Sequence, residues 1–134
     1  MRKRTKIILA IPLILLVYFG LTYIPHKAVS IDPLSISKIT VFDGNTGNAI
    51  DITDPAEMDY IIENLNDITF QKGKPSFFRL GYSYRTTFYD KDGEKVDEMI
   101  IGSNDGLRYK GFFYTSKNDG IVYDYIEQLF NRPL

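Results

Sequence analysis

Residues 80–101 read LGYSYRTTFYDKDGEKVDEMII, and this stretch decides the fold class. From Leu80 to Asp90 the side chains alternate between two faces, because successive residues of a β-strand point to opposite sides. Lys91-Asp92-Gly93 then turns the chain, and Lys95 to Ile101 returns antiparallel. The stretch predicts a β-hairpin within an antiparallel sheet.

Shorter strands are predicted on both sides of this hairpin, each bounded by residues that favour turns. The predicted strands are residues 36–43, 49–53, 67–71, 107–110 and 112–116, with a turn at residues 44–47 and a break in the strand at residues 72–75.

Two helices are predicted among these strands. The first begins at Asp54, which is the expected N-cap, with Pro55 at the first helical position and Glu57 completing a capping box. Its apolar stripe, with the spacing of one helix face, is Met58, Ile61, Ile62 and Leu65. A closing helix carries the stripe Val122, Tyr125, Ile126 and Leu129. The order of elements predicts an α+β fold, in which a curved antiparallel sheet has two helices packed on one face.

The N-terminus predicts a membrane segment. Residues 1–6, MRKRTK, form a basic tail, and residues 7–24 contain no charged side chain. Eighteen helical residues span about 27 Å, close to the hydrocarbon thickness of roughly 30 Å. The cations Arg2, Lys3, Arg4 and Lys6 predict a cytoplasmic N-terminus. Residues 7–24 are thus expected to be a signal anchor in the lipid bilayer, with residues 25–35 as a tether and residues 36–134 as an extracytoplasmic domain.

Cleavage is the alternative to this anchor. Ala28-Val29-Ser30 has the small-x-small pattern of a signal peptidase site, so the domain could be secreted after cleavage following Ser30. The apolar run is longer than the ~7–15 residues of a typical cleaved signal, which favours the anchor.

Composition excludes several classes of function. Five of the 16 Lys/Arg residues lie in the first 30 residues, which hold no acid, so the rest of the chain has 11 cations against 17 acids, a net charge of −6. An acidic domain of this kind is not expected to bind nucleic acid. The chain has no cysteine and His26 as its single histidine, which excludes zinc sites and His-dependent triads. No catalytic residue, metal or cofactor is predicted.

A basic segment with aromatic residues is the main candidate for binding. Residues 68–89 contain four cations and no acid. Such a segment could dock on a lipid surface or an acidic partner. The tyrosines of the alternating strand could add a sugar- or peptide-binding platform if they face solvent, although the core side of a sheet is the commoner place for them. The candidate binding residues are Lys72, Lys74, Phe77, Phe78, Arg79, Tyr82, Tyr84 and Arg85.

A carboxylate pair is the candidate for catalysis. Asp97 and Glu98 are adjacent on a predicted strand, so they are expected to face opposite sides and not to cooperate directly.

Several segments together resemble a family of small exported domains of Gram-positive bacteria whose function is unknown. They are GNTG at 44–47, TDPAE at 53–57, GYSYRTTFYDKDGE at 81–94 and YDYIEQLF at 123–130. The resemblance covers about residues 36–131 and implies no catalytic or binding residues.

These observations lead to one functional expectation and two alternatives. The chain is expected to be a non-enzymatic interaction or sensing module, whose partner is a protein or inner-wall component close to the membrane. The alternatives are a cell-wall glycan hydrolase that uses a carboxylate pair, and a small inhibitor or immunity-type protein.

Overall fold

The computed structural model describes residues 3–76, 83–117 and 120–131, which form three helices and a seven-stranded antiparallel sheet. The helices are α1 (Lys3–Leu21), α2 (Pro55–Asp67) and α3 (Tyr123–Phe130). The strands are β1 (Lys38–Asp43), β2 (Ala49–Ile52), β3 (Phe70–Pro75), β4 (Tyr84–Tyr89), β5 (Lys95–Ile101), β6 (Gly106–Tyr109) and β7 (Phe112–Ser116).

The hairpin predicted from residues 80–101 lies in the middle of the sheet. The strand order is β2-β1-β4-β5-β6-β7-β3, and β4 pairs antiparallel with β5 so that Thr86 lies opposite Met99. The α+β prediction is therefore confirmed. Strands β2 and β3 form the two edges, and β3 reaches its edge position by pairing with β7.

The core lies between one face of the sheet and helices α2 and α3. Tyr84, Thr86 and Phe88 of β4 point to this face and are buried. The four residues of the predicted α2 stripe are all buried, and Ile126 of α3 is fully buried. Each fully buried aliphatic or aromatic side chain contributes about 1.5–3 kcal/mol through removal of apolar surface from water. The helices thus cover one sheet face and leave the opposite face, called the outer face below, without them.

Helix α2 begins where the sequence predicts. Asp54 is the N-cap, its carboxylate accepts a hydrogen bond of 3.1 Å from the backbone N–H of Glu57, and Pro55 occupies the first turn. The bond satisfies one of the N–H groups that a helix start leaves without an intrahelical partner.

The substitution Asp54→Ala is expected to lower the free energy of unfolding by about 1 kcal/mol, because it removes this cap. Urea unfolding of the two proteins in the same non-ionic detergent measures the difference. An unchanged unfolding midpoint would contradict the role of Asp54.

The predicted strand at residues 67–71 is shifted, and the predicted break at residues 72–75 is wrong. Helix α2 continues to Asp67, and β3 runs from Phe70 to Pro75. An edge strand tolerates proline, and the pairing with β7 shifts register between Lys72 and Pro75. Glycine at position 73 eases the approach of β3 to β7, because a Cβ there would lie 3.2 Å from the carbonyl oxygen of Phe113, a tight contact.

Residues 25–35 differ from the expected tether because much of the segment packs on the domain. His26 and Phe70 exchange two backbone hydrogen bonds, of 3.0 and 2.7 Å. Val29 and Ile31 are buried, and the side-chain amide of Asn66 bonds both the N–H and the carbonyl of Ile31. The segment that follows α1 is therefore part of the fold.

Candidate functional site

The C-terminal end of α1 and the edge of the sheet form a junction centred on Lys72. The Lys72 ammonium lies 4.8 Å from the ring centre of Phe19, 5.2 Å from that of Tyr23 and 4.0 Å from that of Phe112. It also donates a hydrogen bond of 3.1 Å to the hydroxyl of Thr22. Because β3 pairs with β7, Lys72 and Phe112 lie close together, and both contact the C-terminal end of α1.

The faces of aromatic rings provide the electrostatic stabilisation of the Lys72 charge in this junction. Lys72 is only 9% exposed, and a buried ammonium needs compensation for its lost hydration. The negative faces of aromatic rings attract a cation by about 0.5–1 kcal/mol each at exposed sites, and by about 2 when water is excluded. Three rings and a hydroxyl thus stabilise the charge while joining α1 to the sheet.

Backbone contacts continue the junction along β3. The side-chain amide of Gln71 donates a bond of 2.6 Å to the carbonyl of Tyr23, and His26 pairs with Phe70 one residue further. The residues from Thr22 to Ile24 continue from α1 in a tight turn, each donating to the carbonyl three residues before it. No freely rotating linker therefore separates α1 from the domain in the described part of the chain.

A shallow groove on the outer face is the second candidate surface. Two adjoining depressions of about 270 and 250 Å³ share Ile100 and Arg108. Phe113 lies in the first, with its ring centre 5.6 Å from the Arg108 guanidinium carbon. The second also contains Glu98 and Lys110. The groove thus combines apolar side chains with charged groups of both signs.

The carboxylate pair suggested by the sequence faces in two directions. Asp97 lies opposite Phe88 on the core side of the sheet and accepts a short hydrogen bond from the hydroxyl of Tyr109. Glu98 lies on the outer face and accepts a bond of 2.9 Å from the hydroxyl of Thr87. The expected separation of the pair is confirmed, so these two groups do not share a substrate position.

Three core tyrosines are held in their protonated form. Burial, with smaller contributions from Tyr123 and nearby acids, raises the pKa of Tyr84 to about 12. Burial and the hydrogen bond to Asp97 raise the pKa of Tyr109, and burial together with Tyr23 raises the pKa of Tyr114. The neutral phenol is favoured because ionisation would place a charge in the core.

These pKa shifts predict alkaline destabilisation. Stability is expected to hold up to about pH 10 and to fall as the pH rises towards about 12, since unfolded tyrosines, with a pKa of about 10, then lose protons that folded ones keep. Each such tyrosine contributes up to about 1.4 kcal/mol per pH unit. The urea midpoint of unfolding should fall as the pH rises across this range. Tyr109→Phe should make this decrease with pH less steep. Complete ionisation of all tyrosines without loss of structure would contradict this expectation.

The structure separates the candidate binding residues suggested by the sequence. Lys72 and Lys74 lie on β3, whereas Tyr84 and Arg85 lie on β4, with β5, β6 and β7 between them. The remaining candidates, Phe77, Phe78, Arg79 and Tyr82, lie outside the described residues.

Burial further divides the four described candidates. Lys74 and Arg85 are exposed, as a binding residue requires. Lys72 is buried against the end of α1. Tyr84 is 7% exposed and stacks on Phe130 at 5.3 Å between ring centres, so it does not offer a platform to solvent. Its position confirms the alternative prediction that this tyrosine lies on the core side of the sheet.

The sequence alone does not identify the residues that complete the junction. Phe19, Thr22 and Tyr23 fall within the predicted membrane segment, with Tyr23 expected towards the outer headgroups, and Phe112 falls within a predicted strand. The tyrosines and Thr22 at the end of the apolar run were the available signal, because such residues suit a membrane boundary. Their partner Lys72 could not be identified, since the contact depends on which strand lies at the sheet edge.

No group of three or more potential metal ligands occurs among residues 3–76, 83–117 and 120–131. The Nδ1 of His26 donates a hydrogen bond of 2.7 Å to the carbonyl of Ile24, and its ring lies near that of Tyr114. Its surroundings are those of a structural residue at the junction.

Comparison with known proteins yields no match to a family model, to a curated protein or to a solved structure. The resemblance to small exported Gram-positive domains therefore stays a prediction from the sequence. Helix α1 is long and apolar enough to cross a membrane, and a signal sequence has the same properties.

Proposed function

We propose that this chain is a single-pass membrane protein with a cytoplasmic N-terminus, whose extracytoplasmic α+β domain is a non-enzymatic interaction or sensing module. The observation that carries the proposal is the junction at Lys72. It joins α1 to the sheet without a flexible linker, so the domain is held at the membrane surface in a defined orientation.

The anchor is favoured over cleavage by the packing of residues 26–31. Cleavage following Ser30 would remove buried Val29 and the partner of Phe70 at the edge of β3. The basic residues that precede the apolar segment support the cytoplasmic location of the N-terminus, by the positive-inside rule.

The outer face supports an interaction role. It offers the groove at Ile100, Arg108 and Phe113, while helices α2 and α3 lie on the opposite face. Apolar side chains flanked by charges suit a protein partner, because the apolar part supplies affinity and the charges supply orientation. The alternative of a glycan hydrolase gains no support from Asp97 and Glu98, which point to opposite faces. An inhibitor or immunity-type protein would use the same kind of rigid face.

The absence of cysteine allows a direct test of topology. Lys91→Cys, in the exposed turn between β4 and β5, is expected to react with a membrane-impermeant maleimide in intact cells. Thr5→Cys is expected to react only after permeabilisation. The protein should remain in the membrane after an alkaline wash, and release of a chain that begins at Ile31 would contradict the anchor.

Site-specific crosslinking in intact cells tests the interaction role. A photoreactive residue at Ile100 or Arg85 on the outer face is expected to capture the same identified protein or inner-wall component. The exposed control position Asp59, on α2, should not capture it. Phe113→Ala should reduce capture from Ile100, because Phe113 lines the groove. Absence of any captured partner, together with glycan turnover by the purified protein, would overturn the proposal in favour of an enzyme.

A further inference from the structure

The path of α1 shows which end of the sheet faces the membrane. Going backwards along the chain, His26 contacts Phe70, Tyr23 contacts Gln71, and Thr22 contacts Lys72. Phe19 then contacts Phe112, which pairs with Pro75 at the far end of β3. The helix end thus runs antiparallel to β3, and the rest of α1 leaves the domain beyond Pro75.

The apolar part of α1 is slightly short for a bilayer. Phe19 and Leu21 are still about half exposed, so the apolar helical residues 7–21 span about 22 Å, whereas the hydrocarbon layer is roughly 30 Å thick. A short span draws the attached domain towards the headgroups or thins the bilayer locally. With α1 inserted as proposed, the Pro75 end of the sheet would face the headgroup layer.

Two exposed lysines are located at this end. Lys74 precedes Pro75 on β3, and Lys110 is at the tip of the β6–β7 hairpin, whose last pair joins Tyr109 to Phe112. Lys110 has φ of 51° and Gly111 has φ of 85°, values typical of a two-residue turn in which asparagine or glycine is the favoured first residue. Lysine at position 110 is therefore not explained by the turn geometry.

We infer that Lys74 and Lys110 form a docking corner for the phosphate groups of anionic lipids, an inference that rests on the proposed membrane anchorage. Cations held near an anionic surface are attracted to it, and the attraction decays within a Debye length. The β4–β5 turn lies at the same end of the sheet, two strands away, and it has a net negative charge because Asp90, Asp92 and Glu94 outnumber Lys91 and Lys95. The two turns together orient the domain with the β3 corner towards the lipid.

The test uses the full chain in vesicles of phosphatidylcholine, with or without phosphatidylglycerol. A fluorescent label at Ser76→Cys, next to the docking corner, reports quenching by spin-labelled lipid. A label at Asn45→Cys, in the β1–β2 turn at the opposite end of the sheet, is the control. Quenching at position 76 is expected to increase with phosphatidylglycerol and to lose this increase at high salt, while the label at position 45 changes little.

Substitutions identify the residues responsible. Lys74→Asn and Lys110→Asn should each lower the ratio of docked to undocked domain about fivefold in the anionic vesicles. Lys117→Asn, which removes an exposed lysine just after β7 at the opposite end of the sheet, should leave the ratio unchanged. Lys110→Asn should keep or raise the melting temperature, since asparagine suits a positive φ, so its loss of docking does not arise from unfolding.

The outcomes separate this inference from the proposed function. Equal quenching in both lipids, or an equal effect of Lys117→Asn and Lys110→Asn, would overturn the docking corner while leaving the anchor intact. Recovery of the protein apart from the vesicles would overturn the anchorage, and the inference with it.

Discussion

A chain that begins at Ile31 is expected to be about 4 kcal/mol less stable than a chain that begins at Pro25. The truncation removes Val29, which is 1% exposed and whose burial contributes about 1.5–3 kcal/mol. It also removes two backbone hydrogen bonds between His26 and Phe70, each with a net contribution of about 1 kcal/mol. Urea unfolding of both soluble chains measures the difference.

This comparison isolates the contribution of residues 25–30 to stability, because both chains lack α1. Lys27→Ala in the longer chain serves as a control, since Lys27 is exposed and its loss should change stability by less than about 0.5 kcal/mol. A loss of about 4 kcal/mol is a large part of the roughly 5–15 kcal/mol that stabilises a typical domain. Equal unfolding midpoints would show that residues 25–30 are dispensable, and cleavage following Ser30 would then yield an intact domain.

The substitution Lys72→Glu is expected to destabilise the full chain by about 3 kcal/mol or more. It replaces the cation among three aromatic rings with an anion, which the ring faces repel, and it leaves that charge buried. The end of α1 should then separate from β3 and β7. Urea unfolding in detergent measures the energy, and limited proteolysis of residues 22–30 reports the separation.

Lys74→Glu is the matched control on the same strand. It makes the same change of charge at an exposed position, so its effect on stability should stay within about 0.5 kcal/mol. Lys72→Met retains the apolar stem and should cost less than Lys72→Glu, because the stem also packs in the junction. Equal effects of Lys72→Glu and Lys74→Glu would contradict the importance of the ring contacts.

The elements that the sequence predicted correctly are those with local signals. Strand β4 follows from the alternation of Tyr84, Thr86 and Phe88, and the start of α2 follows from Asp54 and Pro55. Each signal lies within a few residues of the element it defines, so one sequence contains enough information. The packing of α2 and α3 on one face of the sheet follows in turn from the apolar stripes of these two helices.

The junction and the groove could not be predicted because both depend on contacts between distant residues. Gly73 and Pro75 resemble a strand break locally, and only the edge position of β3 makes them acceptable. The burial of Lys72 requires Phe19 and Phe112 together. The basic segment that appeared continuous in sequence is divided by the strand order, which places Lys74 and Arg85 on strands separated by three others.

The junction also determines a sequence of events during biogenesis. Under the proposed membrane anchorage, Phe19 would reach the membrane early, whereas Phe112 and the rest of β7 would be translocated only after most of the chain. Before then, Lys72 cannot contact all three aromatic rings. Bringing α1 and β7 together closes a long loop, and the entropic cost of that closure must first be offset by local contacts. We therefore expect the attachment of α1 to the sheet to be a late step of folding.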